Sequence, residues 1–463
     1  MAEAGSASRQ RTTRSVARIV AVVAVVATLV LVARPARAGD GLQLLDAERD
    51  GRLETLTLYS PALAGETHVR VLLPVGYDEG GEYAVLFLLH GQSGSYLDWT
   101  VLGDAAAVTE PYPFVVVMPD GGPNGWYRNW YYPPGDPDFA LSPQWETYHI
   151  DELVPFVDER YSTIADRRGI VGNSMGGQGS LSYAALHPEL FQSASALSGA
   201  DDYSFLSPIS EYGLAAYVAS QHVPVIRTFG PDRTRVVRMR SGNPADLASN
   251  LTATPTHLIW GSATRFPSSG NIGALFLEAF LGQMNHSLRQ KLTEAGVAYT
   301  AEINWGGVHD WPDFRKYLVD VLPLVAADLA TPRTAPTEFD HVSFAGEFGA
   351  WGWEVELART IIERAELADA ERSGFSATGS GQMTVTTPGA YCPDTAYGVS
   401  VRGIAETVTS DANGRLEIAV GLGRAHQYDQ YTLPALLMEA LFGPAYFQTA
   451  RVDIDTAADS ACA

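Results

Sequence analysis

Apolar residues follow two rhythms in the first two thirds of the chain. Leu53–Ser60 (LETLTLYS) and Thr67–Leu73 (THVRVLL) alternate, as an antiparallel pair with one buried face does. Tyr83–Leu89 (YAVLFLL) and Phe114–Met118 (FVVVM) are unbroken apolar runs bounded by Gly, Pro or Asp. That pattern predicts strands covered on both faces. Short strands are predicted at Gly169–Val171, Ala194–Leu197, His257–Trp260 and Tyr299–Asn304, and helices over Glu152–Tyr161, Met175–His187, Ile272–Ala295 and Phe314–Leu329. Strands alternating with helices predict an α/β fold with a mostly parallel sheet. Residues 200–254 are rich in Ser, Pro, Arg and Asp, break that alternation, and are expected to form a cap-like insertion.

The pattern changes after residues 330–338, a Pro/Thr-rich linker (ATPRTAPTE). Trp353–Leu357, Met383–Thr387, Gly398–Val401, Leu416–Val420 and Val452–Asp455 are short alternating segments separated by Gly, Pro and Asn. Helices are expected at Ala358–Ala370 and Leu433–Leu441. Residues 339–463 therefore read as a small, mainly β accessory domain, and 39–329 as the larger α/β domain.

Composition adds a compartment and removes some partners. Residues 1–38 carry Arg9, Arg11, Arg14 and Arg18, then the apolar run Ile19–Ala33, then Ala36-Arg37-Ala38. That is the layout of a secretory signal, and the run is shorter than the roughly 20 residues of a spanning helix. The expectation is a secreted, extracellular protein, with cell-wall association as a variant. The two cysteines, Cys392 and Cys462, are then expected to form a disulfide. A net charge of −22 argues against nucleic acid and against an anionic membrane surface as partners. No metal-ligand spacing is apparent, and neither a metal nor a cofactor is expected.

The chemistry centres on Gly172-Asn173-Ser174-Met175-Gly176, a G-x-S-x-G motif. It follows the apolar Ile170-Val171 and opens a helix, the strand–turn–helix elbow that lifts a serine clear of a sheet. A serine hydroxyl needs a base. His309, in Gly306-Gly307-Val308-His309-Asp310-Trp311, lies in the loop after the last strand, where such a base belongs. For the acid, Gly261–Leu277 contains no carboxylate, and Glu278 is the first after it. Asp310, beside His309, and Glu294, further along the helix, are the alternatives. Backbone N–H groups of Met175 and of Gln92, in His90-Gly91-Gln92-Ser93-Gly94, are the candidate oxyanion donors. Aromatic residues including Trp126 and Trp130 gather near this rim, and Trp311 follows the base. Flat rings there suit sugar or aryl groups, or brace the rim.

With these residues placed, Leu53–Leu329 resembles the esterase branch of α/β-hydrolases that contains the secreted mycolyltransferases of the antigen 85 complex and S-formylglutathione hydrolase. The resemblance rests on VLFLLHG (85–91), VVVMPDGG (115–122), WETY (145–148), GNSMGG (172–177), SALSG (195–199), FLEAF (276–280) and GGVHDW (306–311). It implies an α/β-hydrolase fold and a triad of Ser174, Glu278 and His309. His90-Gly91-Gln92-Ser93 departs from the Asp-Gly-Leu-Arg of the mycolyltransferases, which is implicated in holding trehalose. The expected function is a secreted serine carboxylic-ester hydrolase acting on a small-molecule or glycan-linked ester. The alternatives are an acyltransferase that delivers the acyl group to a sugar hydroxyl, and a non-catalytic glycan- or cell-wall-binding protein on a hydrolase scaffold.

Overall fold

A computed structural model describes residues 41–133, 142–207, 209–221, 223–267 and 270–461. The signal-like segment 1–38 and Cys462 lie outside them.

The apolar runs become the centre of a nine-stranded sheet. Its strands are β1 (Gln43–Asp50), β2 (Leu53–Ser60), β3 (Gly65–Leu72), β4 (Tyr83–Leu89), β5 (Phe114–Pro119), β6 (Thr163–Asn173), β7 (Ser193–Leu197), β8 (Thr256–Gly261) and β9 (Tyr299–Asn304). The order is β1-β2-β3-β5-β4-β6-β7-β8-β9. The first three are antiparallel and β5 through β9 run parallel. Alternate residues of the central strands enter opposite cores. Val85, Phe87 and Leu89 face one side; Leu86 and Leu88 face the other. A strand buried on both faces needs a helical layer on each. Helices α2 (Met175–Leu186) and α6 (Ile272–Glu294) cover the first side, and α7 (Trp311–Asp328) covers the second. A short α1 (Val154–Arg160) precedes β6. The insertion before β8 is helical: α3 (Ile209–Ser220), α4 (Val225–Phe229) and α5 (Asp232–Arg240). It buries Val218, Phe229, Val237 and Met239 in the first core. This is the α/β-hydrolase arrangement.

The C-terminal region is antiparallel β. Its strands are β10 (Glu338–Ser343), β11 (Glu347–Ala350), β12 (Trp353–Leu357), β13 (Ala365–Glu371), β14 (Gly374–Gly379), β15 (Gly381–Thr386), β16 (Ala396–Val401), β17 (Ile404–Thr409), β18 (Glu417–Leu422) and β19 (Gln448–Asp455), with helix α8 (Leu433–Phe442). They form a six-stranded sheet, β10-β13-β14-β19-β16-β17, and a four-stranded one, β11-β12-β15-β18. Both feed one core, with Trp353, Val355 and Leu357 from one sheet and Phe375, Val399 and Val452 from the other. The helix expected at Ala358–Ala370 does not form. Residues 358–364 are irregular, and Ala365, Leu367 and Ala370 of β13 enter the sandwich core.

The seam between the two regions is tied. Asn250 exchanges two hydrogen bonds with the Val342 backbone, at 2.9 and 2.7 Å. Val342 and Phe344 belong to the α/β core. Arg333 donates to the carbonyls of Phe191 (2.8 Å) and Pro188 (2.6 Å), and its guanidinium lies 4.6 Å from the Trp351 ring centroid. Among the described residues no helix is long and apolar enough to cross a membrane. Cys392 is buried.

Two buried histidines set an acid limit on this fold. Burial lowers His149 to about 4 and His341 to about 3. As the pH falls from about 6.5 toward 4, the unfolded chain takes up these protons and the folded chain does not, so stability drops. The full loss is a few kcal/mol per histidine, roughly 3 or more. Melting temperature measured across that range should fall less steeply in His341→Gln than in wild type. An unchanged slope would refute the assignment for His341.

Candidate active site

The elbow at the end of β6 follows from its glycines. A Cβ on Gly172 would stand 2.1 Å from the Gly176 carbonyl oxygen, and a Cβ on Gly176 would stand 2.3 Å from that of Leu89. Neither position admits a side chain. The turn between them puts Ser174 at φ 56°, ψ −120°, a backbone state that costs a non-glycine residue about 1–3 kcal/mol. It is held by Ser174 N–H to Leu197 C=O (2.9 Å) and by Gly177 N–H to Ser174 C=O (3.0 Å).

His309 stands across from this serine. Its Nε2 is 2.9 Å from Ser174 Oγ, and its Nδ1 is 2.8 Å from Glu278 Oε2. Glu278 lies in the second turn of α6 and is fully buried. Its other oxygen accepts from Ser198 Oγ (2.6 Å) and from the Gly261 N–H. The carboxylate is thus clamped from behind with one oxygen aimed at the imidazole. The loop carrying His309 is equally fixed. The Val308 N–H donates to Asp313 Oδ2 (2.8 Å), which also takes Arg265 Nη2 (2.7 Å). A Cβ on Gly307 would meet the Tyr317 hydroxyl at 2.0 Å. Asp310 caps α7 by accepting from the Asp313 N–H, and Glu294 is exposed and paired with Lys291. The structure therefore brings together Ser174, His309 and Glu278, and leaves both alternative acids elsewhere.

The loop after β4 passes close to the serine. A Cβ on Gly91 would be 3.2 Å from Ser174 Cβ. Gly121 N–H donates to His90 Nε2 (2.9 Å), which assigns the His90 proton to Nδ1. That nitrogen donates to Gly91 C=O (2.8 Å), as does Gly94 N–H (3.2 Å). In a trans peptide the N–H points opposite the C=O, so the Gln92 N–H is turned away from His90. The backbone N–H groups of Gln92 and Met175 have no hydrogen-bond partner among the described residues. The Gln92 side chain is engaged with Asn124 Oδ1.

A family model for esterases matches residues 60–325, which contain every residue of this site. The chain belongs to the Esterase family. An esterase of Mycobacterium tuberculosis is 30% identical over 295 residues, 61% of this chain and 61% of that protein. This chain therefore spans less than two thirds of that relative. The diacylglycerol acyltransferase/mycolyltransferase Ag85A of Mycobacterium gordonae is 28% identical over 267 residues, covering 55% of this chain and 75% of the other. The solved structure of MPT51 from Mycobacterium tuberculosis aligns with 61% of this chain and 99% of its own, at 19% identity and a TM-score of 0.49. The Esterase match ends before the β-sandwich begins.

Within this member of the Esterase family the three tryptophans expected at the substrate rim have different surroundings. Trp126 is only 3% exposed, edge-on to Tyr203 and tilted against Phe229, so its ring serves the cap's packing. Trp130 is half-buried and donates to Gly125 C=O (3.0 Å). Trp311 is half-buried on Trp99 and Phe314, and Phe314 meets the His309 ring edge-on at 4.9 Å. Sequence reasoning missed Ser198 and the orienting contacts of His90. Both sat inside quoted motifs, SALSG and LLHG, but nothing local marks a hydroxyl as the support of a carboxylate 80 residues away.

Proposed function

We propose that this protein is a secreted serine carboxylic-ester hydrolase working through an acyl-enzyme on Ser174. The observation that carries the reading is the hydrogen-bonded series from Ser174 Oγ through His309 to buried Glu278, at 2.9 and 2.8 Å. Ser174 Oγ attacks the ester carbonyl as His309 Nε2 takes its proton. Glu278 holds the Nδ1–H tautomer and stabilises the imidazolium. The Gln92 and Met175 N–H groups receive the developing oxyanion. His309 returns the proton to the departing alkoxide, and water repeats the sequence in reverse to free the acid. Trp311, two residues after the base, contacts substrate in this reading, and Cys392 pairs with Cys462.

The likeness to a mycolyltransferase favours a second reading, in which a sugar hydroxyl replaces the water. One experiment separates the two: p-nitrophenyl esters of increasing acyl length, turned over with and without an added acceptor sugar. Free acid as the product under both conditions supports the hydrolase. Acylated sugar at the expense of acid supports the transferase. No turnover of any ester would sink both.

A further inference from the structure

The seam between the α/β region and the sandwich forms an open-sided cavity of about 410 Å³. Gln178, Ser182 and Leu186, four residues apart on one face of α2, form its floor. The loop after β5 and the end of α5 supply Arg128 and Arg238, and the β12–β13 connection supplies Arg359 and Thr360.

Its charge is not balanced. Arg359 is answered by Glu363 at 3.0 Å. Arg128 and Arg238 have no carboxylate within 4 Å among the described residues. Arg128 reaches only neutral oxygens, the Arg238 C=O and Ser241 Oγ (3.4 Å), and lies over the Phe229 ring. Arg238 reaches Asn129 C=O (3.5 Å) and lies over the Tyr131 ring. Each has a buried Nε without a partner. Glu146, which also lines the cavity, is engaged with His187 (3.0 Å), and Asp429 with the Ile362 N–H (2.7 Å); each attracts the arginines only at longer range. Burial holds both guanidinium groups below their ordinary value, and the charge of Arg128 helps bring Arg238 to about 10. Both arginines are half-buried without a close carboxylate, in a chain of net charge −22 that has carboxylates to spare.

The ligand must bring two negative charges and more. Guanidinium forks match tetrahedral oxyanions. The cavity has room for an organic part besides.

We propose that this cavity binds a phosphate monoester, with Arg128 and Arg238 on the phosphate. The site is built jointly by the α/β region and the sandwich, and the proposal does not depend on the hydrolase reading. Calorimetry on the full chain at constant ionic strength tests it, with glycerol phosphate and inorganic phosphate as probes in a chloride background. Saturable one-site binding of both is expected, with glycerol phosphate the tighter. Affinity should fall at least about tenfold in Arg128→Gln and in Arg238→Gln, a loss of about 1.4 kcal/mol or more. Turnover of p-nitrophenyl esters in both variants should stay close to wild type. If either variant fails to fold, Arg238→Lys, which keeps the charge and loses the fork, should still weaken binding. Absence of saturable heat with either probe, or equal binding in wild type and the arginine variants, would overturn the proposal.

Discussion

Ser174→Ala is expected to lower kcat by on the order of 10⁶-fold, the scale of removing the nucleophile from a working triad. The variant should keep its fold, because the clearances of Gly172 and Gly176 that shape the elbow do not involve the hydroxyl. His309 would retain Glu278 but lose the group whose proton it takes. Intact mass after treatment with a fluorophosphonate gives an independent readout. Wild type should gain one adduct and the variant none. An active or labelled variant would place the nucleophile elsewhere.

Glu278→Gln carries the second largest effect, on the order of 10⁴-fold in kcat with KM little changed. The direction follows from the two donors behind the carboxylate. Ser198 Oγ–H and Gly261 N–H both point at one oxygen. In the amide they hold the C=O there and turn the NH₂ toward His309. An imidazole facing an NH₂ donor accepts it at Nδ1 and carries its own proton on Nε2. That nitrogen then cannot take the proton of Ser174. Near-native kcat in Glu278→Gln would remove Glu278 from the triad. Asp310 could not replace it without releasing the first turn of α7.

The serine and the histidine were legible because local pattern carries them: a glycine-framed elbow after an apolar strand, and a glycine-rich loop after the last one. The acid was harder. It stands in the second turn of a helix, where a carboxylate reads as a solvated face; its place as the first carboxylate after β8 nominated it, and the family resemblance supported it. The misread stretch Ala358–Ala370 shows the opposite failure. Arg359 and Glu363 sit four apart, a helical spacing, and do form an ion pair. Tertiary partners determine the backbone instead. Glu363 is also bound by Ser380 and by His426 Nδ1 (2.7 Å), and the following residues alternate into the sandwich. Strand β1 went unseen for a simpler reason. All eight of its residues are exposed, so burial imprints no rhythm on them.

The seam at Arg333 and Asn250 bears on how the proposed hydrolase would meet a large substrate. A catalytic head on a loose tether can search the volume its tether sweeps, whatever its partner module is fixed to. Here the connecting segment is pinned to the carbonyls of Phe191 and Pro188, and the first strand beyond it completes the core of the head. Anything grasped by the sandwich is therefore presented to Ser174 at one fixed distance and angle, as by a jig. Exchange of the sandwich for another module would strip Asn250 of both bonds to the Val342 backbone and open the core that Val342 and Phe344 close.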